Sequence, residues 1–329
     1  MSDTSSPQDT PRSQKRASEA AAIKLLPKLV EAFVWNNPQR MAEVSSAVAS
    51  SIDTHHPAIA KKIRDTLSRN LRPVHARAIP DGLISYEEAR HGFSNVVLPE
   101  YLEAECAAIV QEHSKHDQLK AFGLDPRHKV LLHGEPGNGK TLLAEAFAYE
   151  IGVPFLRVKY GGLVDSYMGG TSKNIDSIME YVKNGPCLLF LDEFDGIGID
   201  RNAKGDVGEM RRVTNQMLIA LDRLPSTCVF VAATNCLDLV DSALKRRFDF
   251  IFEIPKPSVD LMARCASKEL SPALTPGHNV SNLAVKVADL GLKNLSEVVN
   301  LCKRIRRDIV LNDGNGISRL ISSEELPRY

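Results

Sequence analysis

The chain has 329 residues, with 41 basic and 41 acidic side chains and a formal net charge of zero. Hydrophobic residues make up 43% and charged residues 25%, ordinary values for a folded protein with room for two domains. Balanced charge argues against a broad nucleic-acid-binding surface, and no apolar run is long enough to span a membrane.

The chain starts Met1-Ser2-Asp3-Thr4-Ser5-Ser6-Pro7 and lacks an apolar leader core, so a cytoplasmic location is expected. Residues 1–18 are rich in Ser, Thr, Pro, Gln and charge. They hold too few apolar groups to offset the entropy of ordering and are expected to be disordered. Residues 20–26, 29–34, 41–52 and 58–67 then read as helices. In the last of them Ile59, Ile63 and Leu67 recur at four-residue spacing and line one face. This predicts a small helical module, either a docking domain for a partner or a packing extension. Pro73, Pro80, Gly82 and Gly92 mark a linker over 73–95, and module and linker together are assigned 19–90.

From 91 to 255 strands and helices alternate. The strands are expected at 129–133, 154–158, 187–192, 228–233 and 250–254, with helices at 142–151, 175–184 and 209–224. Near-continuous apolar strands separated by helices predict an α/β domain whose parallel sheet is covered on both faces. Beyond Pro255 the pattern is helical only, at 258–270, 283–290 and 295–310, giving a small all-helical domain at 256–329. Asn294, three residues before Glu297, is placed to cap the last of these helices. The six cysteines show no metal-ligand spacing and read as buried reduced thiols.

Four motifs carry the chemistry. Gly134-Glu135-Pro136-Gly137-Asn138-Gly139-Lys140-Thr141 has the pattern G-x-x-x-x-G-K-[ST], between an apolar strand and a helix. In that context backbone N–H groups surround a phosphate chain, Lys140 reaches the β- and γ-phosphates, and Thr141 can ligate Mg²⁺. Next, Asp192 and Glu193 emerge from the apolar strand Cys187-Leu188-Leu189-Phe190-Leu191 at its C-terminal edge, where ligands of open α/β sheets bind. Asp192 is suited to Mg²⁺ and Glu193 to the water that attacks a γ-phosphate. The third strand, Val229-Phe230-Val231-Ala232-Ala233-Thr234, ends in Asn235. Asn235 is either a hydrogen-bonding partner of that water or phosphate, or a turn residue. The fourth motif is Asp241-Ser242-Ala243-Leu244-Lys245-Arg246-Arg247-Phe248-Asp249, with a basic cluster at a helix end.

In this order the four motifs closely resemble those of the AAA ATPase family, over residues 92–310. The resemblance implies a large α/β domain and a small helical lid that hold ATP and Mg²⁺ between them. It implies homo-oligomeric rings, usually hexamers, with each site at a subunit interface. Residues 134–141 and Asp192 then correspond to the nucleotide-binding set, with Thr141 and Asp192 on Mg²⁺. Glu193 corresponds to the water-activating residue and Asn235 to the first sensor. Arg246 and Arg247 correspond to arginine fingers reaching the neighbouring subunit's γ-phosphate. Residues 162–170 resemble the central-pore loop, with Tyr167 and Met168 gripping a polypeptide; Gly170 stands where the family carries an acidic residue. Tyr167 packed into the domain core is the other reading. Residues 200–206 fall where the family has a second pore loop, and Arg211 and Arg212 resemble residues near the subunit interface. No arginine stands at the helix start Leu295-Ser296-Glu297, so a second-sensor arginine is not expected. Val96 and Val97 are placed to meet adenine through backbone groups.

The expected function is therefore ATP-driven remodelling or unfolding of a protein substrate through a central pore. Two alternatives stand beside it. Lys303, Arg304, Arg306 and Arg307 would suit a nucleic-acid motor or loader. A nucleotide-switched module presenting its N-terminal helices to a partner would need no pore.

Overall fold

The computed structural model describes residues 11–34, 38–70, 82–163, 170–196, 207–278, 280 and 282–321. It contains two compact units, Met1–Arg77 and Ala78–Tyr329.

The first unit holds three helices, α1 (Pro11–Val34), α2 (Pro38–Ile52) and α3 (Pro57–Asn70). Each opens on a proline, whose fixed φ and missing N–H suit a first helical position. Its core is small: Ala49, Ile52 and Ala60, with Ala22 and Ile63 packed against them. His56 Nε2, just before α3, lies 2.9 Å from Glu19 Oε1 on α1. Two expectations are corrected. Residues 11–18, expected to be disordered, are helical, because good helix formers there extend a helix already nucleated over the following alanines. The segments 20–26 and 29–34 are also one helix, running through Pro27. On α3, Ile63 packs inward but Ile59 is exposed, so only part of the predicted apolar face is covered.

The second unit begins with β1 (Ile84–Glu87) and a 3₁₀ turn at Phe93–Asn95. Next come α4 (Glu100–Ser114), α5 (His116–Ala121) and β2 (Lys129–His133), then α6 (Lys140–Ile151), β3 (Phe155–Val158) and α7 (Tyr160–Leu163). After these come α8 (Gly170–Val182), β4 (Cys187–Leu191), α9 (Val207–Asp222) and β5 (Cys228–Thr234). The α/β part closes with α10 (Ser242–Lys245) and β6 (Phe250–Glu253). Four further helices end the described chain: α11 (Val259–Glu269), α12 (Leu283–Ala288), α13 (Leu295–Asn312) and α14 (Ile317–Leu320).

The sheet has six strands in the order β1-β3-β4-β5-β2-β6. All pairings are parallel except β1 with β3, where Ile84 faces Val158 and Glu87 faces Phe155. The antiparallel β1 lies within the stretch expected to be linker. Its four residues are too short an alternation to stand out beside Pro80 and Gly82. The central β4 and β5 are buried at every residue, as strands covered by helices on both faces must be. Edge strand β6 alternates instead: Phe250 and Phe252 face the core, Ile251 and Glu253 the outside.

A separate apolar core fills the C-terminal helices, built on Leu261, Met262, Leu270, Val298, Leu301 and Ile305. Residues 96–98 serve both cores. Val96 and Leu98 are buried with the α/β sheet, while Val97 between them is buried with the C-terminal helices. Helix α11 grips the same segment: Lys268 Nζ donates to the Val96 carbonyl at 2.6 Å and Arg264 to the Leu98 carbonyl at 3.0 Å. Of the cysteines, five are buried and free, as expected. Cys236 is exposed, because it lies just past the end of β5.

Candidate functional site

The loop between β2 and α6 lies at the C-terminal edge of the sheet. Gly134, Gly137 and Gly139 take φ of 141°, 81° and 90°. These are left-handed values that side chains rarely adopt. Gly134 has a second constraint, since a Cβ there would sit 2.2 Å from the Ile254 carbonyl oxygen. The loop thus stays pressed against the end of β6 and delivers the chain into the first turn of α6. The first N–H groups of a helix have no intrahelical partner and favour an anion.

Lys140 is only 8% exposed. Its Nζ donates to the Gly134 carbonyl at 2.7 Å, the Glu135 carbonyl at 3.1 Å and Asn235 Oδ1 at 2.8 Å. Burial pushes its pKa down, against the pull of Asp192 and Asp195. All three acceptors are neutral, so positive charge on the ammonium is not cancelled by direct contact. A buried cation held this way fits an incoming phosphate chain.

Asp192, at the end of β4, faces the loop. Its Oδ2 is 3.5 Å from Thr141 Oγ1 and 3.4 Å from an Arg157 nitrogen, and its Oδ1 accepts from the Glu193 N–H at 3.0 Å. The Thr141 hydroxyl and Asp192 carboxylate form a hard oxygen pair that fits Mg²⁺. Glu193 has φ of 54°, one of two non-glycine residues with positive φ among those described. Such a conformation costs about 1–2 kcal/mol and persists where the surroundings impose it. Here the Gly196 N–H holds the Glu193 carbonyl at 2.9 Å, and the side chain stays exposed beside the cleft.

Asn235 is placed by a local network. Thr234 Oγ1 donates to Asp195 Oδ1 at 2.6 Å and accepts from the Cys236 N–H at 3.0 Å. The turn around Asn235 is thereby fixed, and its amide oxygen meets Lys140. Residues 136–141 of the phosphate loop, Asp192, Glu193 and Asn235 therefore line one cleft of about 770 Å³, whereas Gly134 and Glu135 do not line it. Its opposite wall comes from the C-terminal helices, including Lys268, Ser296, Val299 and Arg306.

Arg246 and Arg247 do not line this cleft. Arg247 is engaged within the chain, with Nε 3.0 Å from Asp222 Oδ1. Arg246 is exposed and makes no side-chain hydrogen bond or ion pair among the described residues. Tyr167, Met168 and residues 200–206 lie outside the described residues. Val96 and Val97 do line the cleft, but the Val96 carbonyl is already taken by Lys268.

Sequence reasoning missed two contributors and one contact of a predicted residue. Arg157 approaches Asp192 from β3; a charge inside the run Phe155-Leu156-Arg157-Val158 was the signal. His91 reaches the cleft because Glu145 on α6 accepts from the Arg90 and His91 N–H groups at 2.8 and 3.2 Å. The contact is that of the Asn138 side chain, a residue the sequence already placed at the site. It lies within the motif, yet it bonds to the distant helix α13: its Oδ1 accepts from the Leu295 N–H at 3.2 Å.

Residues 130–256 match the family model described as "ATPase family associated with various cellular activities (AAA)". The chain is 33% identical over 241 residues to an uncharacterized AAA family ATPase, y4kL, of Sinorhizobium fredii, covering 68% of this chain and 72% of that one. It is 39% identical over 154 residues to the proteasome-activating nucleotidase of Methanosphaerula palustris, covering 44% of this chain and 37% of that one. It is 34% identical over 191 residues to the ATP-dependent zinc metalloprotease FtsH of Rhodococcus erythropolis, covering 56% of this chain and 22% of that one. The chain thus spans well under half the length of the latter two.

Proposed function

The chain belongs to the AAA family of ATPases, and from that premise we propose that it forms a homo-oligomeric ring, hexameric as is usual in the family, that uses ATP hydrolysis to remodel or unfold protein substrates. The observation that carries the reading is the convergence of Lys140, Thr141, Asp192 and Asn235 at one edge of the sheet, with Lys140 Nζ 2.8 Å from Asn235 Oδ1. Residues 134–141 hold the phosphate chain through backbone N–H groups and the Lys140 ammonium. Thr141 and Asp192 hold Mg²⁺, which when bound withdraws charge from the phosphates. Glu193 orients and polarises the attacking water, and Asn235 fixes the position of that water or of the γ-phosphate.

Arg246 and Arg247 lie away from their own chain's cleft. They act, on this reading, in the site of an adjoining copy, where a permanent cation offsets charge on the transferred phosphoryl group. Arg246 is the freer of the two. A protein substrate is supported by relatives whose names specify a protease and a proteasome activator. Tyr167 and Met168 are proposed to grip the substrate in the pore. The neutral overall charge favours a polypeptide over nucleic acid. Among the described residues no helix is long and apolar enough to cross a membrane.

The test is the ATPase activity of wild type against Glu193→Gln. The variant should bind ATP while kcat falls about 10²-fold or more, the usual contribution of a positioned general base. Unchanged turnover would remove Glu193 from its role. ATPase stimulation by DNA and not by unfolded protein would replace the proposed substrate class.

A further inference from the structure

The N-terminus of α13 is capped partly by residues far away in sequence. The first N–H groups of any helix need acceptors from outside its own ladder. In α13 the Glu297 N–H is served locally, by Asn294 Oδ1 at 2.9 Å. The other two are served by the phosphate loop. The Leu295 N–H donates to Asn138 Oδ1 at 3.2 Å, and the Ser296 N–H to the Gly137 carbonyl at 2.9 Å. Ser296 Oγ adds a bond to the same carbonyl at 3.0 Å. The fit is close: a Cβ on Gly137 would lie 2.9 Å from Asn294 Cγ.

The Asn138 amide is the informative group. The residue is 2% exposed and lines the cleft. Its oxygen is committed to Leu295, while its buried Nδ2 has no hydrogen-bond partner among the described residues. An orphaned buried donor is costly, and a phosphate oxygen seated in the loop is an acceptor of the right chemistry. The start of α13 carries no arginine with which to reach the phosphates itself.

We propose that Asn138 is a positioning residue that couples nucleotide binding to the lid, its Nδ2 bonding a phosphate oxygen while its Oδ1 holds the first turn of α13. The inference rests on the ATPase reading above. A bound phosphate chain fixes the amide orientation and strengthens the grip on Leu295. After loss of that acceptor, the amide turns freely and α13 loosens from the loop. The lid then follows the state of the phosphate loop through this amide, with no arginine at the start of α13.

Hydrogen exchange at the Leu295 and Ser296 amides, with and without Mg-ATPγS, tests this on the full chain. In wild type the nucleotide should slow exchange about tenfold, within the usual range of coupling between sites. Asn138→Ala should still bind ATPγS saturably, about fivefold more weakly for one lost hydrogen bond. Its nucleotide-dependent slowing should shrink to about twofold or less. Asn138→Ser keeps an acceptor oxygen and should recover part of the slowing. Should Asn138→Ala not fold, Ser296→Ala gives the same reading, with the slowing reduced. Full slowing in the alanine variants overturns the proposal. So does faster exchange by an equal factor with and without nucleotide, the mark of a merely structural contact. A wild-type chain that binds no ATPγS instead refutes the ATPase reading, and the coupling with it.

Discussion

At the residue scale the site is fixed by backbone demands as much as by side-chain chemistry. Gly134 and Gly139 both have positive φ, but only Gly134 faces an obstacle, the Ile254 carbonyl 2.2 Å from any added Cβ; nothing lies within 4 Å at Gly139. Gly139→Ala should therefore cost only the conformational strain, about 1–2 kcal/mol. Gly134→Ala adds a clash with backbone, about 1–3 kcal/mol more by analogy with overpacked cores. Urea unfolding of the two variants measures the difference; equal losses would mean that the loop is not pressed against β6. Glu193 is the opposite case, a side chain kept in a conformation better suited to glycine or asparagine, as happens where position matters more than comfort.

At the element scale, much of the fold was legible. β2 has the predicted limits, and the other parallel strands differ by a residue or so at their ends, because long apolar runs between helices can bury nowhere but in a parallel sheet. Ser258 and Asn294 cap α11 and α13, accepting from Leu261 and Glu297. The hidden part was non-local. β1 is identifiable only through its partner β3, and Arg157 and Asn138 act on groups 35 and 157 residues away.

The junction of α4 with β2 has a property that periodicity does not reveal. His113 and His128 are both partly buried there, His113 Nε2 lying 3.0 Å from the Arg127 carbonyl and His128 Nδ1 3.1 Å from that of Pro126. Burial, the largest cause for each, lowers both pKa values below the usual 6.5. Between the depressed folded value and the unfolded one, the unfolded chain binds more protons, so stability rises with pH. Stability should therefore be lost as pH falls below about 6.5, and less so in His113→Gln, as urea midpoints at pH 7.5 and 5.5 would report. A midpoint that does not shift in wild type would contradict the burial argument.

For the whole molecule, the decisive prediction concerns sharing between copies. If Arg246 serves a neighbour, Arg246→Ala and Glu193→Gln chains should each be nearly inactive alone. Mixed together they should regain activity, because an assembly then contains sites with an intact glutamate facing an intact arginine. The proposed loss for a missing arginine finger is about 10³-fold or more. An Arg246→Ala chain with full turnover, or mixtures no more active than their parts, would confine the chemistry to a single chain.

The double anchoring of residues 96–98 sets the kind of movement open to such a machine. Successive side chains are rooted on opposite sides, and α11 clasps the carbonyls of Val96 and Leu98. Sliding the lid along the sheet would uproot one set or the other, whereas twisting this short tether disturbs neither. Rotation about that short segment, like the winding of a torsion bar, is the movement this anchoring leaves open.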